Sequence, residues 1–447
     1  MIHFGLEGYG ASTIYIAAVA AFLLSIVWRP SIGMYFLVLL LPLQTWRYRL
    51  HEYPLGTQFI DILLLGIVLG MLLRRERFEL QPLGPSLLFF AVFCYLSLCL
   101  GSLYLDASLP FSLDDARFSD WKNYVEMFFV SVLVVSVMKE TNQVRILLIV
   151  MCVSFLLVNR SFYTTMSDRD LSHFSYDSRD TGPLGYAGEN GLAAFEAMFT
   201  AFLLGLYAFA RHVAVKLGLL GLIGTGIYCL LFSFSRGGYL GLLAALVVLG
   251  ILRDRKLLLL VGGLLIAWQT VLPDAVQERI TMTTEAAAPG ELESSAQERV
   301  ELWQDAFELL GQNPVIGIGF GTYQALKRVG PYSDTHNYYI KVLVETGVVG
   351  LCVFLWLLLR MWRVGFVLYR TSVDVFWRAV GLGFTGLMTS AMVCNFFGDR
   401  WTYQQVDGFL WVLLGCVVRG LILEGREVSV AGESRASSLA VAGPVAA

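Results

Sequence analysis

Apolar runs of about twenty residues follow one another along most of this chain, with short polar breaks between them and no alternation inside them. A run of that length crosses the hydrocarbon core of a bilayer as a helix. Continuity within the runs argues against barrel strands, which alternate apolar and polar positions. The pattern predicts about thirteen such helices, centred near residues 20, 38, 66, 94, 130, 150, 200, 224, 244, 264, 350, 387 and 412. The fold class expected is therefore all-α, a polytopic integral membrane protein with about 12–13 transmembrane helices and one long, partly helical polar loop.

The breaks suggest an organisation. Residues 1–272 carry the first ten helices and include an outer loop at 159–189; residues 273–335 form a loop subdomain; residues 336–424 carry the last helices. The tail at 425–447 is small, polar and Ala-rich and reads as disordered. Within the long loop, Leu302, Trp303, Ala306, Phe307 and Leu310 fall on one side of an amphipathic helix that Asn313 and Pro314 should end. The start of the chain lacks a basic segment before its first apolar run and reads as a retained membrane helix rather than a cleaved signal.

Composition agrees with a membrane protein: 57% of the 447 residues are hydrophobic, 15% are charged, and the mean hydropathy is +0.66. The positive charges give it an orientation. Arg29, Arg74, Arg75, Arg77, Lys139, Arg145, Arg211, Lys216, Arg253, Arg255, Lys256, Arg360, Arg363, Arg370 and Arg378 lie in alternate breaks, which the positive-inside rule assigns to the cytoplasm. The longer breaks at 106–121 and 273–335 then lie outside, with Arg47 and Arg49 against the rule. The seven cysteines all fall inside apolar runs, so no disulfide framework is expected. A net charge of −3 without a basic, aromatic-interleaved patch gives no sign of nucleic acid.

Three helix starts should meet on the outer face, at Gly188-Glu189-Asn190, at Ser235-Arg236-Gly237-Gly238 and at Asp334-Thr335-His336-Asn337. A helix start offers unpaired N–H groups and the positive end of a dipole, so clustered starts attract anions. Arg236 adds a planar fork suited to phosphate oxygens, and Gly237 permits close approach; equally, Arg236 could snorkel to the interface while the glycines pack helices. His336 has a side chain able to take a proton near neutral pH, or it could be a capped interfacial residue. Arg299 on the loop helix and Arg179 before residue 182 are further anion candidates, each with a surface ion pair as its plain alternative, and Arg160 and Arg169 are weaker ones. On a continuous helix Glu345 points away from His336 and reads as scaffold. Asp114-Asp115 and Asp168-Arg169-Asp170 lack accompanying His or Cys, so no metal site is expected. The Walker A, dinucleotide-binding, nucleophile-elbow and HExxH patterns are missing from the sequence.

Taken together, these segments resemble a known family. Ser235-Arg236-Gly237-Gly238, Arg299-Val300-Glu301-Leu302-Trp303, the run from Asn313 to Gly319, His336-Asn337, and Glu345-Thr346-Gly347 with Gly350 are similar in order and spacing to the O-antigen ligase and Wzy-type polymerase superfamily. Gly182-Pro183 with Glu189-Asn190-Gly191 resembles its preceding motif, although Glu189 stands where that family often has proline or aspartate. The resemblance implies a metal-independent, inverting glycosyltransferase of the GT-C type, without cofactor, in the bacterial inner membrane with its site facing the periplasm. Its donor would be an undecaprenyl-diphosphate-linked glycan. Its acceptor would be lipid A core, another lipid-linked glycan or a protein hydroxyl, with O-antigen ligase activity favoured. His336 would be the catalytic base, and Arg236, Arg299 and Arg179 would hold the diphosphate, with Asn337, Gly237 and Tyr323 as further substrate contacts. A reading of a different class, a secondary transporter or lipid flippase, expects midplane ionisable groups in two related halves. Asp61, Glu126 and Glu196 are such acids, but no repeat accompanies them.

Overall fold

The computed structural model describes residues 10–80, 82–282, 294–328 and 335–441. These residues are 80% helical and contain no strand. Seventeen α-helices follow in order: α1 Gly10–Val27, α2 Pro30–Leu40, α3 Gln44–Tyr48, α4 Phe59–Leu73, α5 Gly84–Tyr104, α6 Ala116–Val137, α7 Thr141–Met166, α8 Gly188–Tyr207, α9 Val213–Phe232, α10 Arg236–Leu252, α11 Lys256–Val271, α12 Asp274–Thr281, α13 Ser294–Gln312, α14 Thr322–Leu326, α15 Tyr338–Thr371, α16 Val375–Cys394 and α17 Gln404–Val441.

Each of the thirteen predicted centres falls inside one of these helices, but fewer of them meet the requirements of a span. Among the described residues nine helical segments are long and apolar enough to cross a membrane, or up to ten if the pair α11 and α12, bent by 107°, counts as one. The shortfall has physical causes. At 1.5 Å per residue the eleven residues of α2 reach about 16 Å, half a bilayer core. The 17 residues of α10 and 16 of α11 are also short, while α6 carries Arg117, Asp120, Lys122 and Glu126 in its first half.

The bundle is built around α8 and α16. Both are buried along most of their length, and they cross where Gly205 meets Gly383: a Cβ placed on Gly205 would come 2.2 Å from the Gly383 Cα. Side-chain-free crossings let membrane helices gain dispersion contacts that lipid tails cannot better. Phe195, Phe199 and Phe202 of α8 stack along one another and onto Phe155 of α7 and Phe409 of α17.

Two sequence expectations change. The tail does not break off at residue 425, because α17 continues to Val441; extending an existing helix adds one bond per residue and needs no new nucleus, and no proline intervenes before Pro444. In α13 the buried side is Leu302, Ala306 and Leu309, whereas Phe307 is exposed. This helix covers a small cluster of its own, formed with Ile318, Tyr323 and Val344.

Candidate active site

The loop after α9 is the first component. Phe234 takes a left-handed backbone, φ +53°, and turns the chain so that Ser235 stands just before α10, without a side-chain cap bond, and Arg236 opens it. The C-terminal carbonyls of α9 are exposed by that turn and are taken by two arginines from elsewhere: Arg179 Nε donates to the Ser233 carbonyl at 3.2 Å and Arg279 Nε to the Phe234 carbonyl at 3.3 Å. Arginines at a helix C-terminus satisfy orphan acceptors and oppose the dipole there. Anchoring through Nε also fixes where the rest of each guanidinium points.

Arg179 reaches the Asn190 side chain at 3.0 Å, and the Ser235 hydroxyl donates to the same Asn190 oxygen at 2.7 Å. The starts of α8 and α10 are thereby tied together. Glu189 stands 3.9 Å from Arg179. Burial pulls the Arg179 guanidinium below its ordinary range, with Glu189 opposing and Arg279 adding to the shift. Arg169, which the sequence ranks low, donates to the Arg179 carbonyl at 2.6 Å and to Asp180 at 2.7 Å, so it braces this loop. Arg279, on α12, is a site residue that sequence reasoning missed. It is buried and stacks on Phe174 and Tyr176, 4.9 and 5.3 Å from the ring centres. Its one sequence signal is a lone arginine soon after Pro273 in a stretch read as loop.

His336 is the second component, and it too is held in the left-handed region, φ +50°. For a residue with a side chain this conformation costs about 1–3 kcal/mol, so its neighbours must enforce it. Thr335 before it is fully buried, donates through its hydroxyl to the Asn337 carbonyl at 2.7 Å and accepts at its carbonyl from the Trp303 indole at 2.9 Å. Asn337 after it caps α15, its Oδ1 accepting from the N–H groups of Tyr339 and Ile340. His336 is therefore not on the helix whose parity the sequence used; it sits before the cap, and α15 itself breaks at Gly347, φ +66°. Asp334 lies outside the described residues. Arg299 is on α13 one turn before Trp303, so the two lie on the same side of that helix.

Two further candidates are packed into the fold. Tyr323 is buried in the cluster beneath α13, its hydroxyl donating to the Leu302 carbonyl at 3.3 Å. Gly237 lies against Phe397, where a Cβ would come within 2.7 Å of the Phe397 Cβ.

Between these components runs an apolar groove of about 720 Å³. Leu240 and Leu243 of α10 form one wall, Val393, Phe396 and Phe397 the other, and Trp303 with Asn337 closes the end. Leu240 and Phe396 are 44% and 52% exposed, so the groove is open along its side. It joins the helix that Arg236 opens to the corner that holds His336. Arg400, also unforeseen, is buried at the same end and donates to the Phe397 carbonyl at 3.4 Å; its signal was the charged pair Asp399-Arg400 between two apolar runs.

Residues 219–355 match the family model described as O-antigen ligase. The matched segment is similar to that family, in line with the resemblance read from the motifs. It runs from α9 into α15 and so contains Arg236, Arg279, Arg299 and His336, while Arg179, Asp399 and Arg400 lie outside it. No curated protein matches the chain significantly.

Proposed function

We propose that the chain is an inverting glycosyltransferase of the bacterial inner membrane that moves a glycan from undecaprenyl diphosphate to an acceptor hydroxyl on the periplasmic side, in the manner of an O-antigen ligase. The observation that carries this reading is the apolar groove along α10 and α16, one end of which is closed by Trp303 and by Asn337, the neighbour of His336, with Arg236 one turn before the first lining residue of α10. A polyprenyl chain needs a lipid-open apolar cleft, and its diphosphate needs fixed positive charge at the cleft's end.

In this mechanism His336 takes the proton of the acceptor hydroxyl as its oxygen attacks the anomeric carbon. The bond from that carbon to the diphosphate oxygen breaks, and the leaving group keeps the electron pair. Arg236 and Arg299, with Arg179 and Arg279 behind the α10 start, neutralise the charge that builds there. Fixed donors in a dry site are worth most at that moment. The diphosphate is already a competent leaving group, so positioning and charge stabilisation are sufficient and no metal is required. Asn337 and Trp303 act by holding the His336 backbone.

The test is transfer of a labelled glycan from its lipid diphosphate by purified protein in nanodiscs, with lipid A core, a second lipid-linked repeat and a hydroxyl-bearing protein offered in turn. His336→Ala should abolish transfer without lowering yield or Tm. Transfer by that variant at the wild-type rate overturns the mechanism, and the productive acceptor separates ligase from polymerase and protein glycosylation.

A further inference from the structure

The first two turns of α15 have a second side. Asn337 faces the apolar groove, but Tyr338, Lys341 and Glu345 line a separate polar cavity of about 440 Å³ between α5, α6, α15 and the start of α17, a size typical of small-ligand sites. His336 heads the turn that divides the two.

The cavity differs from the arginine site in charge. Three carboxyl groups, Asp120, Glu345 and Asp399, surround a single ammonium, Lys341, which Asp399 holds at 3.0 Å. Asp399 is itself fixed, accepting from the N–H groups of Trp401 and Thr402 at 3.1 Å and from the Thr402 hydroxyl at 2.8 Å. Side-chain amides of Asn123, Gln324, Gln404 and Gln405 add to the polar lining, and Phe320 is also part of the wall. Glu345 is 2% exposed, its carboxylate faced by the N–H groups of Gly321 and Tyr323, and its Oε1 has no hydrogen-bond partner among the described residues. A buried acceptor left over in a polar cavity points to a ligand that donates to it.

We propose that this cavity binds a neutral saccharide, the sugar partner of the transfer reaction. Carboxylates accept from vicinal hydroxyls, amides both donate to and accept from them, and an aromatic ring covers the apolar face of a pyranose. The surplus of carboxyl groups excludes phosphate and uronate. The diphosphate and the sugar are thus sorted by charge to opposite sides of the turn that His336 heads. The inference rests on the transferase reading above, and binding is measured apart from transfer so that the two can fail separately.

Ligand-observed saturation-transfer NMR on the full chain in nanodiscs tests it, with lactose, maltose and diacetylchitobiose as neutral probes and glucose 6-phosphate and glucuronate as anionic ones. At least one neutral disaccharide should bind, and no anionic sugar should bind comparably. The exposed side chains Asn123 and Gln324 allow Asn123→Leu with Gln324→Leu to weaken that binding about fivefold to tenfold, the worth of one or two hydrogen bonds, without disturbing the fold. His336→Ala should bind the sugar as well as wild type does. In the transfer assay the double variant should raise KM for one substrate: the acceptor if the cavity holds the attacking sugar, the lipid-linked glycan if it holds the donor's. Neutral sugars that bind no better to wild type than to the double variant, or anionic sugars that bind equally well, overturn the proposal.

Discussion

The indole of Trp303 donates to the carbonyl of Thr335 at 2.9 Å, linking the helix of the long loop to the residue before His336. The bond restrains a backbone that would otherwise relax from its left-handed φ. Trp303→Phe keeps most of the ring and removes the donor. A net loss of about 1 kcal/mol is expected, which translates to about fivefold slower transfer. The effect should fall on kcat, with donor KM and Tm near wild type; an unchanged kcat would show that the corner holds itself.

Arg236 and Arg179 should separate by role. Arg236 opens α10 one turn before the groove, and the Arg179 fork bridges the Ser233 carbonyl and Asn190. Arg236→Ala is expected to weaken donor use about tenfold to a hundredfold, the worth of a charge-assisted hydrogen bond. Arg236→Lys should recover part of that loss. Arg179→Lys cannot bond both partners at once and should behave nearly as badly as Arg179→Ala. Full activity in Arg179→Lys, measured as kcat/KM for the lipid-linked glycan, would reduce that arginine to a simple charge.

The helices were legible in the sequence because twenty-residue apolar runs have few alternatives in a bilayer, and every predicted centre falls within a helix. Span quality was less legible, since the brevity of α2 and the bend between α11 and α12 depend on where a helix stops rather than on apolarity. Of the site, helix starts with Arg236 and His336 could be read as local patterns. Arg279 and Arg400 could not, because their relevance comes from carbonyls and rings distant in sequence. The burial of Tyr323 was not legible for the converse reason: a glycine run suggests an open loop, but here its backbone pairs with residues 344 and 345 and carries the tyrosine inward.

Gly205 and Gly383 offer a test of the bundle itself. A methyl on either meets backbone atoms of the other helix, which cannot rotate aside as a side chain can. Gly383→Val should force α8 and α16 apart, costing about 1–3 kcal/mol or more, and appear as a loss of monodisperse protein on size exclusion in detergent. Gly218→Ala, where nothing lies within 4 Å, is the matched control and should behave as wild type.

The loop that carries Arg179 and the helix that carries Arg279 are joined by His173 Nδ1 and Glu278 Oε1 at 2.7 Å, with Glu278 also accepting from the Phe174 N–H at 2.7 Å. The hydrogen bond that the imidazole donates to Glu278, then the charge of that carboxylate, raises His173 above its usual value. A group raised on folding stabilises fully below its unfolded value, about 6.5, and loses that contribution as pH climbs through the folded value. His173→Ala should therefore lower Tm relative to wild type at about pH 5.5 and converge with it near pH 9. The shift should be small, because the pair is exposed. The Phe174 bond to Glu278 persists at both pH values, so Glu278→Ala should remain destabilising at the alkaline end. Parallel curves for wild type and His173→Ala across that range would show that the imidazole is not charged in the pair.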